Sequence, residues 1–426
     1  MGTNRISYGK IAVIGCGFFA LTLIWTFYNA YMPLILGDFI ESRAIRGGIM
    51  GLDNVLAVLL IPIIGAWSDR VKTPLGNRLP FLIVGMPLAA LFFILIPYSA
   101  KSTLWLLLLV DILFLLAMTI YRAPVIALMP DHTPPEKRSS ANGIINVMGG
   151  IGAIIALFGL SQLYRLNSAY PFLVAGGLLL LSFMLLYLIV DRKPPYAETS
   201  SEDMAGVKKD GSYIHGLKTL FVPSFRGELF ILLAIFFYFI GYAGVEAQFT
   251  VYAVEYLGMA ESTAGVTLGF FSLSFVLFAI PAGLLGNKWG KTPAMLIGLV
   301  GLPLIFICIP LIPLITSIWP MADTVLLQIL LLTGGLFWAF INVQAYPLVA
   351  DLGGTKKIGY FTGLYYLFSM ASSIVAPGFL GLLMDIFSHP ALFYGAAVSF
   401  IIAFGFLKAG SYLTRSGSRY VSSQAK

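Results

Sequence analysis

Apolar stretches of roughly 20 residues or more recur twelve times in this 426-residue chain, each long enough to cross a hydrocarbon core of about 30 Å as a helix. Nothing else in the sequence restricts folding so strongly, because a backbone inside lipid must satisfy its own hydrogen bonds. The runs fall near residues 11–36, 47–67, 80–99, 103–129, 142–164, 169–190, 228–257, 262–286, 292–317, 324–350, 358–384 and 390–411. Composition agrees: 59% of residues are hydrophobic, 11% are charged and the mean hydropathy is +0.91. A soluble chain carries about 25% charge. The pattern predicts an all-α membrane protein of twelve transmembrane helices. The first run follows Arg5 and Lys10 but has no small-residue cleavage site after it, so it reads as a retained span and not a signal peptide.

Orientation follows from the basic residues, which concentrate in cytoplasmic loops of membrane proteins. Arg5, Lys10, Arg70, Lys72, Arg78, Lys137, Arg138, Arg192, Lys193, Lys288, Lys291, Lys356 and Lys357 all fall on one side, with the basic C-terminal tail. The opposite loops hold Arg43, Arg46, Lys101 and Arg165. Both termini are therefore expected in the cytoplasm. The net charge of +7 is then accounted for by attraction to anionic lipid, with no call for nucleic acid. Cys16 and Cys308 lie inside apolar runs and offer no disulfide framework, while His132, His215 and His389 form no ligand-spaced cluster. No metal, no cofactor and no enzymatic activity are expected.

The longest polar interval, Asp191 to Arg226, contains Lys193-Pro194-Pro195 and Ser200 to Asp203, and reads as a flexible linker. It divides the chain into an N-terminal six-helix bundle (1–190), a cytoplasmic linker (191–226) and a C-terminal six-helix bundle with a short tail (227–426). His215 to Phe225 is a candidate interfacial helix. The halves echo one another: Asp131, Lys137 and Gly143 recur as Asp351, Lys357 and Gly363, and Gly65, Asp69 and Arg70 as Gly283, Asn287 and Lys288. Two pseudo-symmetric six-span halves with a site near the midplane are the organisation of the major facilitator fold.

Three motifs sharpen this: Gly65-x-x-Ser68-Asp69-Arg70 followed by Gly76-x-Arg78-x-Pro80, then Arg122-Ala-Pro124-x-x-Ala127-Leu-Met-Pro130-Asp131-x-Thr133-Pro134, then Arg138-Ser-x-Ala141-Asn142-Gly143. Through them the chain resembles the major facilitator superfamily. More narrowly it resembles the sucrose-transporter-like branch, related to the glycoside, pentoside and hexuronide cation symporters. The resemblance implies alternating access in a plasma membrane, with a sugar, glycoside or similar small polar solute as substrate. The sodium-coupled relatives carry paired carboxylates where this chain has Ala57 and Ile61, so a proton is the expected ion. Arg122 stands where those relatives place a sugar-contacting carboxylate.

An intramembrane charge is costly unless paired or wetted, which makes each one a functional candidate. Counting about 1.5 Å per residue, Arg122 lies roughly 13 Å inward of Asp131, near the midplane. It is the leading substrate residue. Asp111 shares nearly its helix face but sits about 16 Å away along the axis, too far to pair directly. Asp53, Asp111 and Glu246 are the candidate coupling-ion sites. Tyr238, Tyr242 and Glu246 recur at helical spacing beside Gly241 and Gly244, a combination expected to let that helix bend. Trp25, Tyr28 and Asn29 in the first span, Tyr242 in the seventh, and Trp338, Asn342 and Gln344 in the tenth are candidate substrate contacts. Gly65, Asp69, Arg70, Arg78 and Arg138 are the candidate cytoplasmic gate, held by partly solvated ion pairs weak enough to break in each cycle. A monomer is expected. Two other readings remain open on sequence: an exporter of amphipathic compounds or drugs, and a non-transporting sensor on the same fold.

Overall fold

The computed structural model describes residues 8–134, 137–196, 225–318, 322–352 and 358–424. Among the described residues, twelve helices are long and apolar enough to span a membrane. They are α1 (Gly9–Gly37), α2 (Arg43–Arg70), α3 (Leu79–Ser99), α4 (Leu104–His132), α5 (Ala141–Leu166), α6 (Tyr170–Ile189), α7 (Arg226–Tyr256), α8 (Glu261–Trp289), α9 (Lys291–Ser317), α10 (Asp323–Leu352), α11 (Tyr360–Ile386) and α12 (Ala391–Thr414). Each coincides with one of the twelve apolar runs. Local signals set several ends: Pro80 sits in the first turn of α3, and the Thr103 hydroxyl accepts the Leu106 N–H at the start of α4. All of the candidate helix His215 to Phe225 except Phe225 itself, and most of the expected linker, lie outside the described residues.

The chain forms two compact units. The first gathers α1, α2 from Leu52 onward, α3 to α6 and the segment Ala253–Gly269. The second gathers Ser42–Gly51, α7 as far as Tyr252, α8 from Phe270, and α9 to α12. The first turns of α2 and of α8 thus each belong to the opposite unit from the rest of their helix.

With lipid on the outside, association between helices rests on close packing more than on apolar burial, so small residues sit where backbones meet. In the first unit a Cβ at Gly152 would strike the Phe19 carbonyl of α1, and one at Gly85 would lie 2.8 Å from the Tyr121 side chain. Phe27, Tyr31, Phe93 and Phe172 fill the space between α1, α3 and α6; the Phe27 and Tyr31 rings stack at 4.3 Å. Outward-facing apolar residues such as Leu59 and Ile63, 59% and 62% exposed, meet hydrocarbon in a membrane.

In the second unit Gly241 and Gly244, expected to let α7 bend, sit at close helix contacts. A Cβ at Gly241 would lie 2.6 Å from the Phe400 ring of α12, and one at Gly244 would strike Leu380 of α11. These glycines let three helices touch, and the irregular turn of α7 lies further on, as the π-helical segment Tyr252–Tyr256. A second π-helical segment, Ile155–Leu160, interrupts α5.

Candidate functional site

In the first unit, α1, α2 and α4 assemble a group of buried polar residues. Tyr28, fully buried on α1, donates its hydroxyl to Asp111 of α4 at 2.9 Å. Asp111 is itself buried, with only 1% exposed. One turn before Tyr28, Trp25 presents its ring to the Arg122 guanidinium, whose central carbon lies 5.5 Å from the ring centroid. Such a contact is worth about 0.5–2 kcal/mol, increasing as water is excluded. Asp53, 5% exposed, accepts a 2.7 Å bond from the Asn54 amide and is close enough to Arg122 and Asp111 to feel both charges. The structure thus brings Trp25, Tyr28, Asp53, Asp111 and Arg122 together, with half-buried Asn29 beside Tyr28 on α1. Arg122 and Asp111 make no direct bond, as their separation along α4 requires.

The second unit has its own group, built on α7, α8 and α10. Tyr242 and Trp338 stack face to face, with centroids 3.9 Å apart and planes 3° from parallel. Tyr238 and Phe239 approach Trp338 edge-on, and Phe271 lies 6.2 Å from Tyr242. Glu246, one turn after Tyr242, is within hydrogen-bonding reach of it. A carboxylate beside a stacked aromatic pair suits a planar ligand carrying positive charge. Asn342 is half-buried one turn from Trp338. Gln344 differs from its neighbours: it is 3% exposed and donates to the Ala282 carbonyl at 2.9 Å, with Gly286 of α8 packed against its amide. That amide ties α10 to α8.

At the other end of α2 the basic loop holds a charge network centred on Arg78. Arg78 donates through Nε to Asp131 at 2.9 Å and through Nη1 to Ser68 at 2.6 Å, and pairs with Asp69 at 2.6 Å. Its side chain is 8% exposed and that of Asp131 1%. Burial alone would lower the pKa of the guanidinium, but the hydrogen bond and charge of Asp131, with those of Asp69, raise it overall. In the sequence Asp131 is visible as a repeat marker and a motif residue, and nothing local announces its pairing with a residue 53 positions earlier. Of the other two expected gate cations, Arg70 is exposed and Arg138 is half-buried.

The second unit repeats the device with a lysine: Lys291, at the start of α9, pairs with Asp351 at the end of α10. Gly76 and Gly290, which precede these two cations, both adopt a positive φ, 88° and 95°. Among the described residues no cluster of His, Cys, Asp and Glu could hold a metal ion.

Twelve apolar helices in two units, each with a buried polar group of its own, define a multi-pass integral membrane protein of the transporter class. The sequence matches the Major Facilitator Superfamily over residues 14–346 and again over 231–421, and the chain belongs to that family of secondary transporters, not to an enzyme family. Among curated relatives it is 26% identical over 286 residues to the class H tetracycline resistance protein of Pasteurella multocida, covering 63% of this chain and 64% of that protein. It is 27% identical over 277 residues to the class B tetracycline resistance protein of Escherichia coli, with the same coverage of 63% and 64%. The matched region thus spans somewhat less than two thirds of these relatives. Two solved structures share the fold. The nucleoside transporter NupG superposes with a TM-score of 0.72 at 15% identity, covering 94% of this chain and 99% of that one. A bacterial homologue of the human lysosomal transporter Spinster gives 0.71 at 14% identity, covering 98% of each. These findings correct the narrower resemblance. The motifs place the chain in the superfamily, but the two relatives from Pasteurella and Escherichia are tetracycline resistance proteins and not sucrose or glycoside symporters.

Proposed function

We propose that this chain is a proton-coupled exporter of amphipathic, drug-like compounds in the plasma membrane, working by alternating access as a monomer with both termini in the cytoplasm. The observation that carries this reading is the similarity to tetracycline resistance proteins of two bacterial species over more than half of the chain. The stacked Tyr242 and Trp338 with Glu246 alongside support it: the pair offers a flat apolar face, and the carboxylate attracts a ligand amine. A sugar would need more hydroxyl partners than this mostly aromatic group provides, so the sugar reading is set aside.

The mechanism follows from competition. A proton and a cationic ligand cannot both neutralise the Glu246 carboxylate, so binding of one favours release of the other. Asp53 and Asp111, close enough for their charges to repel, supply a second place where a proton relieves a buried like-charge contact, with the Arg122 cation close to Asp53. Asp69, Arg78 and Asp131 act as the cytoplasmic gate, anchored at the turn after Gly65. The domain division into 1–190 and 227–426 about a linker is proposed with this mechanism.

The test is efflux of a fluorescent cationic dye from a bacterial strain lacking its own exporters, with and without a protonophore. Expression should lower dye accumulation, the protonophore should restore it, and Trp338→Ala should abolish the difference. Unchanged dye levels together with saturable sugar counterflow in proteoliposomes would refute the export reading.

A further inference from the structure

The outer surface of the second unit carries a groove of about 670 Å³, which runs between α11 and α12 with α7 as its floor. Phe379, Leu383 and Phe387 recur every fourth residue along α11, and Tyr394, Val398 and Ile402 do so along α12, so each helix turns one stripe toward the groove. The stripes are largely exposed, whereas Ile240 on the floor is buried, and the groove is therefore open sideways, toward lipid. Its length is specific. Val375 to Phe387 covers about 18 Å of α11 and Ala391 to Ile402 about 16 Å of α12, close to the roughly 15 Å that one leaflet contributes to the hydrocarbon core. Both stripes start at the turn that joins α11 to α12, so the groove runs from the membrane surface to near the midplane.

The lining decides what can lie there. Pockets of roughly 300–1,000 Å³ that hold small molecules offer a few placed polar groups. Here the Ser399 hydroxyl is committed to the Gly395 carbonyl at 3.0 Å, and Tyr394 stands within a turn of the surface end, where such a ring suits the headgroup level. The other lining side chains are hydrocarbon or aromatic. An amine or hydroxyl carried deep into the groove would lose its hydrogen bonds to water without replacement, and a hydrocarbon chain would not. The surface end has a different chemistry. The turn there holds His389, whose Nε2 lies 2.6 Å from the Arg43 guanidinium; Arg43 in turn pairs with Asp385 at 3.3 Å. All three belong to the second unit, and the Arg43 side chain is partly exposed, so its fork of donors can serve a phosphate oxygen as well as the carboxylate.

We infer that this groove is a phospholipid site: one acyl chain lies along it, between α11 and α12, with the lipid phosphate level with Arg43 and His389. By the orientation that the Lys and Arg distribution implies, the lipid belongs to the outer leaflet. The inference needs the twelve-span membrane fold but not the drug-export reading, and it concerns the second unit alone. The two faces of α7 then do different work. Tyr238 and Tyr242 meet Trp338, while Phe236 and Ile240 floor the groove, so the bound chain braces the helix that carries the aromatic group from its opposite side.

The test uses the full chain in phosphatidylcholine vesicles that contain a small share of phosphatidylcholine with a photoreactive diazirine midway along one acyl chain. After irradiation, proteolysis and mass spectrometry read the label at each residue. Label on Leu383 and Val398 should exceed that on Leu91 and Leu95, exposed apolar residues in the same half of the membrane on α3, at least fivefold. Val398→Trp, which fills the groove from an exposed position, should bring Leu383 to within twofold of the α3 level; Ala391→Trp, at the surface end, serves if Val398→Trp does not fold. A diacylglycerol with the same photoreactive chain lacks the phosphate and should label the groove at least threefold less. Parent labelling within twofold of α3, or labelling of Leu383 that persists in the folded tryptophan variants, would overturn the site. Equal labelling by the diacylglycerol would overturn the part given to Arg43 and His389. Loss of label on adding a fluorescent cationic dye would assign the groove to a drug-like ligand, and an unlabelled groove in a chain that elutes as a dimer would assign it to a second copy; either overturns the lipid. A failed dye-efflux assay with groove labelling intact would count against the export reading alone.

Discussion

Replacing Arg78 by alanine gives the sharpest measure of the cytoplasmic charge network. Arg78 bonds the buried Oδ2 of Asp131 and also holds Asp69 and Ser68. Truncation removes from the Asp131 carboxylate, 1% exposed, the guanidinium that bonds it at 2.9 Å. Breaking a buried pair from one side costs about 3–5 kcal/mol. The Asp69 contact, 30% exposed on the carboxylate side, adds at most about 1 kcal/mol. Lys10 and Asp191 provide the internal comparison: they also pair across the first unit, at 2.7 Å, but with 45% and 41% of their side chains exposed. Lys10→Ala should therefore cost only about 0–1 kcal/mol. For a unit of this size each kcal/mol corresponds to about 2–4 °C in Tm, so Arg78→Ala should melt about 6–20 °C below the parent and Lys10→Ala within about 4 °C. The assay is thermal unfolding in detergent followed by size-exclusion chromatography. Because the Arg78 pKa is raised in the folded chain, its contribution is fully present below the ordinary arginine value and is lost only above it. The difference between the two variants should accordingly persist from about pH 6 to about pH 8 with respect to the arginine. Equal melting temperatures for Arg78→Ala and Lys10→Ala would refute the reasoning, because burial would then not decide the cost.

Three further outcomes are expected. Gly76→Ala should lower Tm by several degrees, since a positive φ costs alanine about 1–2 kcal/mol and its Cβ would also strike the Arg192 carbonyl; an unchanged melting curve would sink this. Tyr28→Phe removes the hydroxyl that Asp111 accepts at 2.9 Å inside the first unit, so it should cost about 1–3 kcal/mol, and combining it with Asp111→Asn should cost less than the sum of the two. Additive costs in that pair would mean the bond contributes nothing. Glu246→Gln should leave folding intact but make dye efflux insensitive to a pH gradient, read in everted vesicles; efflux that still follows the gradient would remove Glu246 from coupling.

The cytoplasmic network and the Tyr28–Asp111 bond share a feature that explains what the sequence could reveal. Twelve spans were legible because the length of an apolar run is a local property, and lipid forces each run to satisfy its own backbone bonds. The superfamily was legible through Gly65 to Arg78, Arg122 to Pro134 and Arg138 to Gly143, since those motifs encode turns and helix ends. The branch was misjudged for the same reason: loop motifs reflect the shared fold, while specificity rests on which side chains meet. Helical spacing told which residues share a face of α1 or α7. It did not tell which helix that face would meet.

Those meetings are the work of tertiary structure. Tyr28 and Asp111 lie 83 residues apart, Arg78 and Asp131 53, and Ser42 and Asp385 343. Gly241 and Gly244 stand beside Tyr242 in sequence, and only the packing shows that Phe400 and Leu380 are what they meet. Gln344 looked like a ligand contact, and the Ala282 carbonyl made it a tie between α8 and α10. The sequence by itself determined that the chain crosses a membrane twelve times and where its costly charges lie. Only the packing of helices decided which charges are paired, because the partner of a buried polar group is chosen by the neighbouring helix and not by its neighbours in the chain.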